Sequence, residues 1–345
     1  MTTPPPGDAS GARGGHAGLA LPPVLHNAAG AVRSLGVELE FSGLDVETAA
    51  DLVRDVLGGR LDPVSPYECQ VRDTDLGDFG VGLDYAYLKR QGREQGPDAD
   101  GSGGLERWPE HLLAEIARRV VPLEIVSPPF PMPRLGQLEP LVERLRQAGA
   151  EGTRGSPLYA FGLHFNPELP RLDADTIGAY LRAFLCLYDW LAEVSGVDWT
   201  RRLTPYVDAF PREYVVLVTA PGYAPSLDRL MDDYLQHNPD RNRALDMLPL
   251  FARLDEDRVR AAVDDPRIKP RPTLHYRLPN SDVDRPGWNL STAWGHYLQV
   301  ERLACDRPRL ADMAARYHEH LSRDVPDDPR GWARICERWL SVDDR

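Results

Sequence analysis

The sequence predicts an α+β fold: a mostly antiparallel, curved sheet with helices packed on one face. Three observations carry this. Five separated segments alternate apolar and polar residues with period two, the pattern of strands with one buried face. None reads as the continuous apolar run of a parallel strand covered on both sides. The stretches between them carry helical spacing, most clearly from about Asp175 to Val194. A chain of 345 residues with 42% hydrophobic and 27% charged content has the composition of an ordinary globular protein with a substantial core.

Residues 1 to 32 hold Pro4-Pro5-Pro6 and several Gly and Ala, without a charged region leading into an apolar one. They are expected to form a flexible tail, not a signal peptide. From Leu35 the text changes: Val37, Leu39 and Phe41 alternate with Glu38 and Glu40, so a strand points two carboxylates the same way. Helical spacing follows from Asp45 to Leu57 and stops at Gly58-Gly59. The strand pattern returns at Phe79-Gly80-Val81-Gly82-Leu83-Asp84-Tyr85, with the glycines and Asp84 on one side.

Residues 92 to 105 read as a Gly/Asp/Ser-rich loop, and Trp108-Pro109 opens a helix to Val120. In Leu123-Glu124-Ile125-Val126-Ser127-Pro128, Glu124 opposes Leu123 and Ile125, and the prolines end the strand. Leu135 to Ala148 is helical, with Pro140 marking a kink or the true start. The cleanest alternation is Tyr159-Ala160-Phe161-Gly162-Leu163-His164-Phe165-Asn166-Pro167, which puts His164 and Asn166 on one face. After the long helix, residues 200 to 272 read as an insertion of short helices and loops. Leu274-His275-Tyr276-Arg277-Leu278 is a strand placing His275 beside Arg277. A helix over 289 to 304 follows, and the segment 305–345 adds further helices expected to pack on the same domain.

The formal net charge of −13 argues against a broad nucleic-acid surface, which needs Lys and Arg to neutralise phosphates. Lys89 and Lys269 are the two lysines, and no Gly-Lys pair occurs, so the P-loop is absent. Cys69, Cys186, Cys305 and Cys336 form no C-x-x-C pair, which excludes a zinc knuckle and a thioredoxin-type site and points to a reduced, cytoplasmic setting. Cys186 lies in an apolar stretch and suits a buried hydrophobe better than a nucleophile. No window reaches the ~18 apolar residues of a membrane span, so no membrane partner is expected.

The polar faces of the five strands thus carry Glu38 and Glu40, Asp84, Glu124, His164 and Asn166, and His275 and Arg277. A solvated sheet face would also be polar, but it normally mixes Thr, Ser and Lys. Here carboxylates and imidazoles stand among small residues that leave room above them, a composition suited to metal or phosphate chemistry. Hard oxygen ligands favour Mg²⁺ or Mn²⁺, ions that bridge nucleotide phosphates while an Arg neutralises the transferring group.

Gly36-Val37-Glu38-Leu39-Glu40-Phe41, Leu123-Glu124-Ile125-Val126-Ser127-Pro128, Gly162-Leu163-His164-Phe165-Asn166 and His275-Tyr276-Arg277 resemble, in order and spacing, successive motifs of the putative amidoligases, relatives of glutamine synthetase and glutamate-cysteine ligase. The resemblance covers roughly residues 33 to 304. It implies a glutamine-synthetase-like catalytic domain over 33–304 that cradles ATP and divalent ions, Mg²⁺ or Mn²⁺, and joins a small-molecule or peptide carboxylate to an amine through an acyl phosphate. It also implies Glu38, Glu40 and Glu124 as metal ligands, His164 as a metal or nucleotide contact and Arg277 as a phosphate contact. Glu38, Glu40 and Arg277 would serve catalysis, and Asn166 and, as a looser match, Asp84 would lie on the cofactor side. In one departure, His275 stands where the family usually has Glu. A neutral imidazole can ligate a divalent ion there, but the swap removes a negative charge and favours softer metals.

The stretch Gln236 to Arg243, with Asp246, is dense in hydrogen-bond donors. It reads either as a loop that covers the sheet face and selects substrate or as a solvated helix-capping linker. Arg201 and Arg202 are similar candidates. Two other functions fit the same residues: a non-catalytic nucleotide- or peptide-binding descendant of the fold, and a metal-dependent phosphotransferase or hydrolase.

Overall fold

The computed structural model describes residues 19–83, 122–155, 161–197, 208–322 and 329–340. Asp84, the helix expected over 108 to 120, and Arg201 and Arg202 lie outside these residues. Among the described residues are nine strands and ten α-helices, and every pairing between named strands is antiparallel.

The strands are β1 (Ser34–Phe41), β2 (Arg60–Ser65), β3 (Glu68–Thr74), β4 (Gly77–Leu83), β5 (Leu123–Val126), β6 (Phe130–Pro131), β7 (Leu163–Pro167), β8 (Leu245–Asp246) and β9 (His275–Tyr276). They order as β2-β3-β4-β5-β1-β7-β9-β8, with β6 beside the start of β1. The glutamate-bearing strand β1 therefore sits in the middle, flanked by β5 and β7.

The helices are α1 (Val46–Leu57), α2 (Glu139–Gln147), α3 (Ala174–Val194), α4 (Arg212–Thr219), α5 (Leu227–His237), α6 (Leu248–Leu254), α7 (Glu256–Ala262), α8 (Leu290–Cys305), α9 (Arg307–Leu321) and α10 (Pro329–Leu340). Helix α1 starts where the Asp45 carboxylate accepts the Thr48 amide, satisfying an orphan donor of the first turn. It ends at Gly58 and Gly59, both with positive φ; a Cβ at Gly59 would lie 2.3 Å from the Arg72 carbonyl, so only glycine lets β3 come this close. Pro140 falls in the first turn of α2, after a 3₁₀ segment over Met132–Leu138, and so marks the start of that helix.

The odd-numbered residues of β1 and β7, together with Tyr276, form the core face. Phe165 meets Trp294 of α8 edge-on, and Tyr276 meets Phe184 of α3 and Tyr297 of α8. Helix α1 lies against β3 and β4. Helix α10 docks on α3, where Trp332 Nε1 donates to the Cys186 carbonyl. Burial pushes the Cys186 thiol up to about 12, which keeps it protonated and inert. In the segment expected as a tail, the Ala20 carbonyl accepts from Trp294 Nε1 and the Val24 carbonyl from Arg33 Nη1.

Arg33, just before β1, is fully buried. Its fork binds both carboxylate oxygens of Glu301 on α8 at 2.9 and 2.7 Å, its Nε donates to the Glu168 carbonyl, and Tyr180 of α3 donates to Glu301 at 2.6 Å. One satisfied polar network thus ties the central strand to both long helices.

The sheet is wider than the five expected strands. The β2–β3 hairpin, β6 and β8 add to it, while the strand expected over 274–278 narrows to His275–Tyr276. Its partner β8 is only two residues long, and beyond it single backbone bonds continue the pairing, from Leu274 N to Pro167 O and from Arg277 N to Ala244 O. Among the described residues, no helix is long and apolar enough to cross a membrane.

Candidate functional site

Period-two alternation puts the polar members of the central strands on the face away from the core, and strand register then decides which of them meet. Glu38 on β1 lies opposite His164 on β7, and Gly36 opposite Asn166. Glu40 lies opposite Glu124 on β5. His275 on β9 lies opposite Asp246 on β8.

The contacts follow this register. Asn166 Nδ2 donates to Glu38 Oε1 at 2.8 Å, and His164 Nδ1 lies 3.1 Å from Glu38 Oε2. His275 Nδ1 lies 2.8 Å from Asn166 Oδ1, and the two imidazole rings meet edge-on at 5.1 Å. Glu40 Oε2 accepts the Gly162 amide at 2.7 Å, while Glu40 Oε1 lies 3.8 Å from His164 Nε2.

These contacts fix tautomers. An ionised carboxylate only accepts, so Asn166 must turn its amide nitrogen to Glu38 and its oxygen to His275. His275 Nδ1 then carries the proton, and its other ring nitrogen keeps a lone pair. By the same reasoning His164 donates from Nδ1 to Glu38 and leaves Nε2 on the side of Glu40.

Burial pushes the His275 imidazole well below its ordinary value, so it is neutral at pH 7. At Glu38, burial works to raise the carboxyl, but His275, His164 and Arg271 outweigh it and hold the group well below the usual range. With His275 neutral, the ionised state of Glu38 rests on the hydrogen bonds from Asn166 and His164 and on the Arg271 guanidinium 3.9 Å away.

Two overlapping ligand sets result. Glu38, His164 and His275 offer ligand atoms within 4.8 Å of one another, and so do Glu40, Glu124 and His164. The residues fit a divalent cation. In the second set two carboxylates stand directly opposite across strands, an arrangement that disfavours folding, and an imidazole lone pair faces one of them. A cation among the three relieves both. The mixed oxygen and nitrogen donors suit Mn²⁺ and its neighbours as well as Mg²⁺.

Arg277 lies at the edge of this cluster, partly buried, with Nη1 donating to the Arg241 carbonyl at 3.0 Å and its charge acting on His275 and Asp246. Asp246 is fully buried, 3.5 Å from Arg241 Nε, and burial pushes its carboxyl up. It brings a carboxylate to the strand next to His275, but among arginines and outside both ligand sets. Arg271 is a residue that sequence reasoning missed: its Nη2 lies 3.4 Å from His275 Nδ1. Parity could have found it, since Arg271, Thr273, His275 and Arg277 share the odd positions of one extended stretch.

The family model described as "Putative amidoligase enzyme" matches residues 31–299, from just before β1 to within α8. No curated protein and no solved structure matches the chain.

Proposed function

Because the chain belongs to the family of putative amidoligase enzymes, we propose that it is an ATP-dependent ligase that joins a carboxylate to an amine on the carboxylate and imidazole face of a glutamine-synthetase-like sheet. The observation that carries this reading is the pair of ligand sets sharing His164 on one sheet face. Glu40, Glu124 and His164 Nε2 would hold a divalent ion; with His164 Nδ1 committed to Glu38, the overlapping set of Glu38, His164 and His275 is an alternative seat for His164, not one it fills at the same time. Such ions, Mg²⁺ or Mn²⁺, neutralise nucleotide phosphate charge and polarise the phosphoryl group when bound.

The chain's own residues supply placement and charge. Glu38 orients His164 through its Nδ1–H and Asn166 through its amide, and Asn166 in turn orients His275. That relay fixes the ligand nitrogens as a supporting hydrogen bond fixes a metal-bound histidine. In this reading the Arg277 guanidinium would stabilise a phosphoryl group as it leaves ADP for the substrate carboxylate. The amine then attacks the activated carbonyl carbon, the C–O bond to phosphate breaks, and phosphate departs with both electrons of that bond as the amine loses a proton. The acid and the amine are a small molecule or a peptide in this reading.

The test incubates the protein with ATP, Mg²⁺ or Mn²⁺ and pools of amino acids and short peptides. Amide together with ADP supports the ligase. ADP and phosphate without amide point to a hydrolase or phosphotransferase on the same face. No turnover together with no thermal shift by ATP and Mn²⁺ removes the nucleotide from the reading.

A further inference from the structure

The donor-dense segment between α5 and β8 places Arg241 next to the ligand sets, and the stretch before β9 brings Arg271 to the same place. Arg241, Arg271 and Arg277 all act on the buried Asp246 carboxylate. Among the described residues, Arg241 and Arg271 face the carboxylates of Asp246 and Glu38; Asp265 also acts on Arg241 but is bound through both oxygens by Arg267.

The pairing is poor. Among the described residues the Arg241 side chain donates no hydrogen bond, its nearest carboxylate oxygen being Asp246 Oδ2 at 3.5 Å. That oxygen is itself buried and accepts no hydrogen bond, while its partner Oδ1 takes the Leu248 amide. Among the described residues Arg271 Nε is also buried without an acceptor, and its Nη2 lies 3.4 Å from His275 Nδ1 and 3.9 Å from Glu38 Oε1. Buried charged donors left unmade are costly and call for an explanation, of which a bound anion is one. Both side chains are partly open, 18% and 33% exposed, so a small solute can reach them.

We propose that Arg241 and Arg271 form an oxyanion-binding subsite beside the candidate metal face, and that Asp246 is the positioning residue that holds Arg241 at it. Resting on the ligase reading above, the ligand is a planar or tetrahedral oxyanion. It is either a second, non-reacting carboxylate of the acid substrate or a phosphoryl group of the nucleotide. Two guanidinium forks meet such a group with parallel N–H donors, which a lysine cannot reproduce.

The experiment titrates glutarate, its monoacid counterpart butyrate, and inorganic phosphate into the full chain by calorimetry at one ionic strength, with a parallel melt in ATP and Mn²⁺. The variants are Arg271→Met, Arg271→Lys and Arg241→Met combined with Asp246→Asn, the last removing both members of the buried pair so that no lone carboxylate is left to unfold it; circular dichroism checks the fold. Loss of one guanidinium weakens the oxyanion by about tenfold or more, with Arg271→Lys recovering only part of it. Weakened glutarate with an intact ATP–Mn²⁺ shift assigns the subsite to a substrate carboxylate. Weakened phosphate together with a reduced ATP–Mn²⁺ shift assigns it to a phosphoryl group. Folded variants that bind every probe as the parent does overturn the subsite, as does a parent that binds neither glutarate nor phosphate. If the parent binds an oxyanion through these arginines but shows neither an ATP–Mn²⁺ shift nor amide formation, the ligase reading fails and the subsite stands.

Discussion

Gly162 lies directly under the ring of His164: a Cβ at position 162 would sit 2.4 Å from His164 Nε2. No side chain tolerates that distance, and His164 is buried and hydrogen-bonded, so the ring has little room to yield. Gly162→Ala is expected to fold, with a stability loss of about 1–3 kcal/mol, and to turn His164 away from Glu40. The ATP–Mn²⁺ increment in melting temperature should then fall by more than half, read by differential scanning fluorimetry beside a chemical denaturation curve.

Glu40 and Glu124 face each other across β1 and β5, and neutralising one relieves like-charge repulsion. Glu40→Gln keeps an oxygen to accept the Gly162 amide. Its stability without metal should differ from the parent's by less than about 1 kcal/mol, while its ATP–Mn²⁺ increment largely disappears, because a ligand stabilises only through the state it binds. An increment equal to the parent's would reduce this glutamate to an ordinary polar residue of the sheet.

Glu38 behaves differently, because it accepts hydrogen bonds from both Asn166 and His164. Glu38→Gln places an amide donor against one of these donors. A loss of about 1–3 kcal/mol at pH 7 is expected. The folded carboxyl is held well below its unfolded value. Its contribution is therefore fully present above the unfolded pKa of about 4.3 and is lost as pH falls through the folded value. Urea titrations from pH 7 to pH 3 should show the parent and Glu38→Gln converging at the acid end.

His275→Glu restores the residue usual in the family at a position that is almost fully buried. An added carboxylate shifts the site toward oxygen donors, so the melting-temperature increment with ATP and Mg²⁺ should grow relative to that with Mn²⁺ or Co²⁺. Identical metal preference in the two proteins would take His275 out of the ligand set.

The face bearing Glu38, Glu40, Glu124, His164 and His275 was legible because each residue sits in a segment whose apolar neighbours set the parity, and parity is what the pleat conserves. The β2–β3 hairpin escaped notice because Pro63 interrupts the pattern, a residue tolerated here on the outermost strand of the sheet. Asp246 and Arg241 were visible as donor-rich text but not as partners of the site, since β8 is two residues long and carries no periodicity. Their place depends on a return of the chain through α5, which no local signal encodes. Arg271, flanked by Pro270 and Pro272, looked like loop although it continues the parity of His275.

The buried pair of Arg33 and Glu301 gives the molecule a schedule. These two residues are separated by 268 positions, and each is fully enclosed. During synthesis the strand carrying Glu38 and Glu40 is made well before the partner that neutralises its anchoring arginine, which follows 268 residues later. Contacts of such long sequence separation slow folding, so the carboxylate face is expected to consolidate only once α8 is available. A chain stopping before residue 301 carries every glutamate of the site but lacks the Glu301 carboxylate that Arg33 binds, and is expected to hold β1 less firmly against the helices.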